Sequence, residues 1–96
     1  MIPLNTPIWD VADHLTSAES IAAYLDAALQ DGDPDLIRAA LGDVAHAKGM
    51  AGIAEATGLS RTILYKALFQ DGNPEFATVV PLLQALGLRV AVRTAA

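Results

Sequence analysis

An all-α fold of five helices with one short C-terminal β-strand is what the sequence predicts, on three observations. Hydrophobic residues make up 53% of the 96-residue chain and aromatics only 5%. Much of that apolar share is alanine, which has the strongest helix propensity and loses no rotamer freedom on folding. Apolar residues then recur at three-and-four spacing in successive runs, each bounded by a capping residue, a glycine or a proline. After Gly87 the period changes to two, with Leu88, Val90 and Val92 alternating with Arg89, Ala91 and Arg93.

The elements follow in order. Residues 1–8 carry two prolines and no periodicity, which predicts an extended, flexible start. Residues 9–96 then form a single domain, since a chain of this length supports one core. Residues 10–15 suit a short helical turn with Trp9 packed beneath it. Ser17 caps the first clear helix, whose stripe is Ile21, Tyr24, Leu25, Ala28 and Leu29, ended by Asp31 and Gly32. Asp33-Pro34 restarts the chain as a cap followed by proline at the first helical position, where no hydrogen bond is lost. That helix runs to Lys48 with the stripe Ile37, Ala40, Leu41 and Val44. Gly42 within it costs about 1 kcal/mol against alanine unless another helix approaches closely there. Two short helices, Met50–Thr57 and Arg61–Phe69, come next. The turn Asp71-Gly72-Asn73-Pro74 leads to a last helix with Phe76, Val79, Val80, Leu83 and Leu86 inward. Pro81 deletes a backbone bond inside it and predicts a kink or early break. The final strand must pair with the N-terminal segment or with its copy in a second subunit, because a lone strand cannot satisfy its own backbone.

Residues 52–68, GIAEATGLSRTILYKAL, carry the functional signal: an amphipathic helix, a glycine-centred turn and a second helix beginning at a serine cap, the outline of a helix-turn-helix spanning residues 50–69. Ala54 allows a close crossing, Gly58 supplies a left-handed turn conformation, and Leu59 plugs the corner. Ser60 caps the second helix and turns its unbonded amides and positive dipole end outward. Leu64 and Leu68 face the core. Ser60, Arg61, Thr62, Tyr65 and Lys66 are left to meet the major groove of double-stranded DNA. The competing reading is an amphipathic hairpin with scattered charges.

Net charge is -5 and the isoelectric point about 4.6, on its face unlike a nucleic-acid binder. The distribution matters more. Residues 1–43 hold eight acids and one base, Arg38, whereas residues 44–70 hold Lys48, Arg61 and Lys66 against Glu55, and residues 71–96 balance. The one net-positive segment therefore contains the motif, and the acid is placed to meet a basic protein partner. The chain has no cysteine, which excludes disulfides and thiolate metal sites and suits the cytoplasm. The N-terminal stretch lacks the pattern of a signal peptide, and no run reaches the roughly 20 apolar residues of a membrane span.

No catalytic, metal or cofactor site is expected. His14 near Asp10 and Asp13 reads as a solvated salt contact, and His46 has no second ligand. Ser17 and Ser60 are caps without a base partner. Gly72-Asn73-Pro74 lacks the lysine of a phosphate loop. Asp31, Asp33 and Asp35 have the wrong spacing for a calcium loop. Trp9 reads as core, with a partner-binding anchor as the alternative.

The runs YLDAALQDGDPDLIRAALGDVAHAKGM, GIAEATGLSRTILYKAL and DGNPEFATVVPLLQALGLRV closely resemble the bacterial probable addiction-module antidote proteins, over residues 9–92. ALGDVA, TGLSR, LYKAL and DGNPEFAT are the most specific matches. These relatives are antitoxins of type II toxin-antitoxin systems with a lambda-repressor-like DNA-binding domain. The resemblance implies neutralisation of a small basic RelE-like toxin that cleaves messenger RNA, and repression of the chain's own operon. It carries Ser60, Arg61, Thr62, Tyr65 and Lys66 over as DNA contacts, with Lys48 and Asn73 touching phosphate. A motif of this size makes few base contacts, so a homodimer reading two half-sites is expected. The alternatives are a standalone regulator and a toxin-sequestering module without DNA binding.

Overall fold

The computed structural model describes residues 15–69 and 73–95. The expectations for residues 1–8, for Trp9 and His14, for the start of the 10–15 turn and for Asp71-Gly72 lie outside those residues. Among the described residues there are five helices: α1 (Ala18–Asp31), α2 (Pro34–Lys48), α3 (Met50–Thr57), α4 (Arg61–Phe69) and α5 (Phe76–Ala85). α2 is the central element, packed on α1, α3 and α4, while α3 also contacts α4 and α5.

Local chemistry sets the boundaries. Ser17 accepts a hydrogen bond from the Ser20 N–H at 3.1 Å, and Ser20 Oγ accepts one from the Ser17 N–H at 3.2 Å, a reciprocal capping box with serine in the usual Glu or Gln position. Asp33 Oδ1 accepts from the Asp35 N–H at 2.9 Å with Pro34 at the first helical position. Ile21, Leu25, Ala28, Ala40, Leu41, Val44, Met50, Ile53, Leu64, Leu68, Leu82 and Leu86 form the core, closed at the start of α1 by Leu15. At about 25 cal/mol per Å² of apolar area removed from water, burying a leucine or isoleucine contributes about 2 kcal/mol, which makes the larger members of this set the main source of stability.

Four expectations require correction, in whole or in part. The C-terminal strand is not formed: residues 88–95 adopt no regular structure, with Val90 and Val92 exposed. Among the described residues they face α1, whose backbone groups are already bonded along the helix and offer no ladder partner. On α5, Val79, Leu83 and Leu86 face inward as expected, but Leu82 joins them and Phe76 does not. Leu82 and Leu86 are buried, Val79 and Leu83 pack against them, and Phe76 is 79% exposed at the helix start. The stripe that packs is therefore 79, 82, 83 and 86, and Val80 lies beside it. The same helix continues past Pro81 to Ala85 instead of breaking early. On α1, Leu29 is 58% exposed, because its side of the helix lines an open groove facing the C-terminal segment.

Candidate nucleic-acid interface

α3 and α4 are joined by the three residues 58–60. Gly58 sits at φ 75°, ψ 4°, a left-handed conformation that L side chains resist, and its N–H bonds the Ala54 carbonyl at 3.0 Å. Thr57 reinforces the turn from the other side. Its hydroxyl donates to the Ile53 carbonyl at 2.8 Å and accepts from the Leu59 N–H at 3.2 Å. Leu59 and Ala54 are half-buried against the core. Ser60 Oγ then accepts from the Ile63 N–H at 3.1 Å, capping α4 and leaving the earlier amides of the first turn facing out.

α4 divides cleanly. Leu64 and Leu68 are buried at 0% and 1% exposure, Ala67 is half-buried, and Arg61, Thr62, Tyr65 and Lys66 are exposed. Ser60, Arg61 and Thr62 thus stand at the capped end, with Tyr65 and Lys66 one turn on. The Tyr65 and Phe69 rings pack with centroids 5.3 Å apart at 38°, so an aromatic edge runs along the same face. Lys48 is exposed at the end of α2, on a different element, and Asn73 is exposed beyond the end of α4.

The far end of α4 is held by Arg38, which sequence reasoning left without a role, and by the close approach at Gly42. Arg38 Nη1 donates to the Leu68 carbonyl at 3.1 Å, placing a cation on the negative end of the α4 dipole. Its Nε is buried with no hydrogen-bond partner among the described residues. Gly42 lies beneath the same turn. A Cβ there would stand 3.1 Å from Phe69 Cε1 and 3.2 Å from the Leu68 carbonyl oxygen, so a side chain at position 42 would push the end of α4 by a few tenths of an ångström. The close approach needed to justify that helical glycine is thus present. Ile63, 47% exposed on the flank of α4, and Phe69, 44% exposed, are further apolar surface the sequence reading did not single out. The signal for Arg38 was its solitude: one base in an otherwise acidic half, four residues before a helical glycine.

Among the described residues, no three side chains of the metal-binding types converge, and no helix is long and apolar enough to cross a membrane. What the arrangement offers is a short helix seated on the core by Leu64 and Leu68, with Arg61, Thr62, Tyr65 and Lys66 on its outer face, in a small all-helical domain. The model of the probable addiction module antidote protein family matches residues 5–94, and the chain belongs to that family. It is similar to an uncharacterized protein of Haemophilus influenzae, 51% identical over 85 residues that cover 88% of each chain. No solved structure matches.

Proposed function

We propose that the chain is a DNA-binding antitoxin of a type II toxin-antitoxin module, with α3 and α4 as the helix-turn-helix of a lambda-repressor-like domain and α4 as the helix that enters the major groove. In this reading it neutralises a basic RelE-like toxin that cleaves messenger RNA, represses its own operon, binds the operator as a homodimer in the cytoplasm, and performs no catalysis. The observation that carries the DNA half is the outer face of α4: Arg61, Thr62, Tyr65 and Lys66 exposed together behind a serine-capped N-terminus, in the net-positive stretch of an acidic chain. Lys48 and Asn73 are assigned to phosphates flanking the groove. Family membership supports the antidote half.

Arg61→Ala tests it. If Arg61 reads a guanine, anisotropy with DNA from upstream of the gene will show binding weakened by about 1 to 3 kcal/mol, and the wild-type affinity will fall steeply with salt. Equal affinity of variant and wild type for that DNA removes Arg61 from the site. The net charge of -5 favours a second reading, a module that sequesters the toxin without holding DNA. A gel shift on the upstream promoter separates the two.

A further inference from the structure

α1 and α2 enclose a second feature, remote in sequence from the α4 face. Between them runs a groove of about 340 Å³ whose floor is made by Ala28 and Ala40 and whose sides carry Ala27, Ala39 and the half-exposed Leu36. Asp31 closes one end. At the other, the Tyr24 hydroxyl donates to Asp43 Oδ2 at 2.6 Å and ties the two helices together over the groove. Such a floor of methyl groups offers no hydrogen-bond donor to a small polar ligand. Alanine is, however, the residue that lets another helix come close.

Charge decides what that occupant is. Over residues 15–43 the carboxylates of Glu19, Asp26, Asp31, Asp33, Asp35 and Asp43 are all exposed. The one base in that stretch, Arg38, points its guanidinium at the Leu68 carbonyl and so does not neutralise them. An apolar slot bordered by unbalanced carboxylates repels nucleic acid and a second copy of itself, and selects a protein surface with an apolar ridge flanked by Lys and Arg. Tyr24 at the rim, apolar in body and polar at the tip, is of the type enriched where protein surfaces meet.

We propose that this groove is where the basic toxin docks: an apolar ridge of one of its helices seats on Ala28 and Ala40 between Tyr24 and Leu36, and its Lys or Arg side chains meet Asp31 and Asp43. The assignment rests on the antitoxin reading above and names the surface that reading leaves open. It also leaves α4 uncovered, so the partner and DNA are held on different faces.

The test uses the full chain and, as probe, the small protein encoded by the neighbouring gene, co-expressed and then measured by titration. Ala39→Arg places a long cation on an exposed position of the groove wall, while Ala23→Arg places the same cation on an exposed position of α1 outside the groove, as control. Circular dichroism verifies that both remain helical. Ala39→Arg is expected to weaken partner binding about tenfold or more, with operator binding within about twofold of wild type, and Ala23→Arg to change neither. Partner binding by Ala39→Arg equal to wild type overturns the groove alone; a wild-type chain that does not bind the neighbouring gene product overturns the antitoxin reading itself. Two other results overturn the groove as a partner site. One is a change in sedimentation mass of Ala39→Arg without partner, which places a second copy there. The other is a shift in the emission of Trp9, the single tryptophan, in the variant alone, which places the chain's own N-terminal residues there.

Discussion

The α1–α2 pair and α4 are built from the same materials, leucine and alanine on the inside and short polar residues at the caps, yet they present opposite surfaces. Along α1 and the first turns of α2 the exposed charge is carboxylate, and the intervening groove is apolar. Along α4 the exposed charge is Arg61 and Lys66 with an aromatic edge beside them. The single base of the acidic half is not part of its surface chemistry at all: Arg38 crosses to the C-terminal end of α4 and holds it. Net charge therefore says little about a chain this small. An overall value of -5 is the sum of two faces with different electrostatic preferences, and each acts on what lies within a Debye length of about 8 Å at physiological salt.

The comparison predicts that α4 depends on its seating and the acidic groove does not. Leu64 is wholly buried beneath the outer face of α4. Leu64→Ala is expected to cost about 2 to 5 kcal/mol, the range for emptying a packed leucine site, measured by urea unfolding. Leu36, 45% exposed on the groove, should lose no more than about 0.5 kcal/mol on the same truncation. Equal losses at the two positions would erase the distinction between a face that is seated and one that is merely displayed.

Arg38→Met sharpens the point. It removes a charge-assisted bond to the Leu68 carbonyl while keeping most of the side-chain volume, and such bonds contribute about 1.5 to 3 kcal/mol. Because Nε is already buried without a partner among the described residues, part of that is offset, and a loss of about 1 to 2 kcal/mol in unfolding free energy is expected. The consequence specific to this geometry is that operator affinity falls along with stability, since the negative end of α4 is released. Retained operator affinity in a folded Arg38→Met chain would show that Gly42 and the core alone hold α4 in place.

Much of this frame was legible in the sequence because its punctuation is local. Ser17, Asp33-Pro34, Gly49, Gly58 and Ser60 each act on residues within one turn, and the helices begin and end where those residues say. The outward set on α4 was legible for a related reason: Leu64 and Leu68, four apart, leave only one side free. What could not be read was whatever depended on a contact distant in sequence. Arg38 meets a carbonyl thirty residues away, and Tyr24 meets Asp43 from nineteen away. The 88–92 alternation has the period of a strand, but a strand exists only with a partner, and among the described residues the segment faces a helix, α1. On α5 the expected stripe held at Val79, Leu83 and Leu86 but missed Leu82 and wrongly took in Phe76, because nearly every residue of that helix is apolar and periodicity alone had several stripes to choose from.

A smaller effect than that of Arg38→Met is expected at the rim of the groove. Tyr24 bonds the Asp43 carboxylate, and that bond, with burial and the adjacent negative charge adding to it, pushes the phenol up to about 12 from its ordinary value near 10. The folded chain thus holds the Tyr24 proton more tightly than the unfolded chain does. Linkage then gives the sign: the stabilisation is complete below about pH 10, where both states are protonated, and is lost as pH rises through about 12. Tyr24→Phe should cost about 0.5 to 1.5 kcal/mol at neutral pH, as one hydrogen bond at a partly exposed site does. It should also flatten the decline in stability over that alkaline window relative to wild type, measured by urea unfolding at a series of pH values. A variant whose stability declines as steeply as wild type there would mean that the hydroxyl does not join α1 to α2 in solution, and the groove between them would then have no fixed width for a partner helix to read.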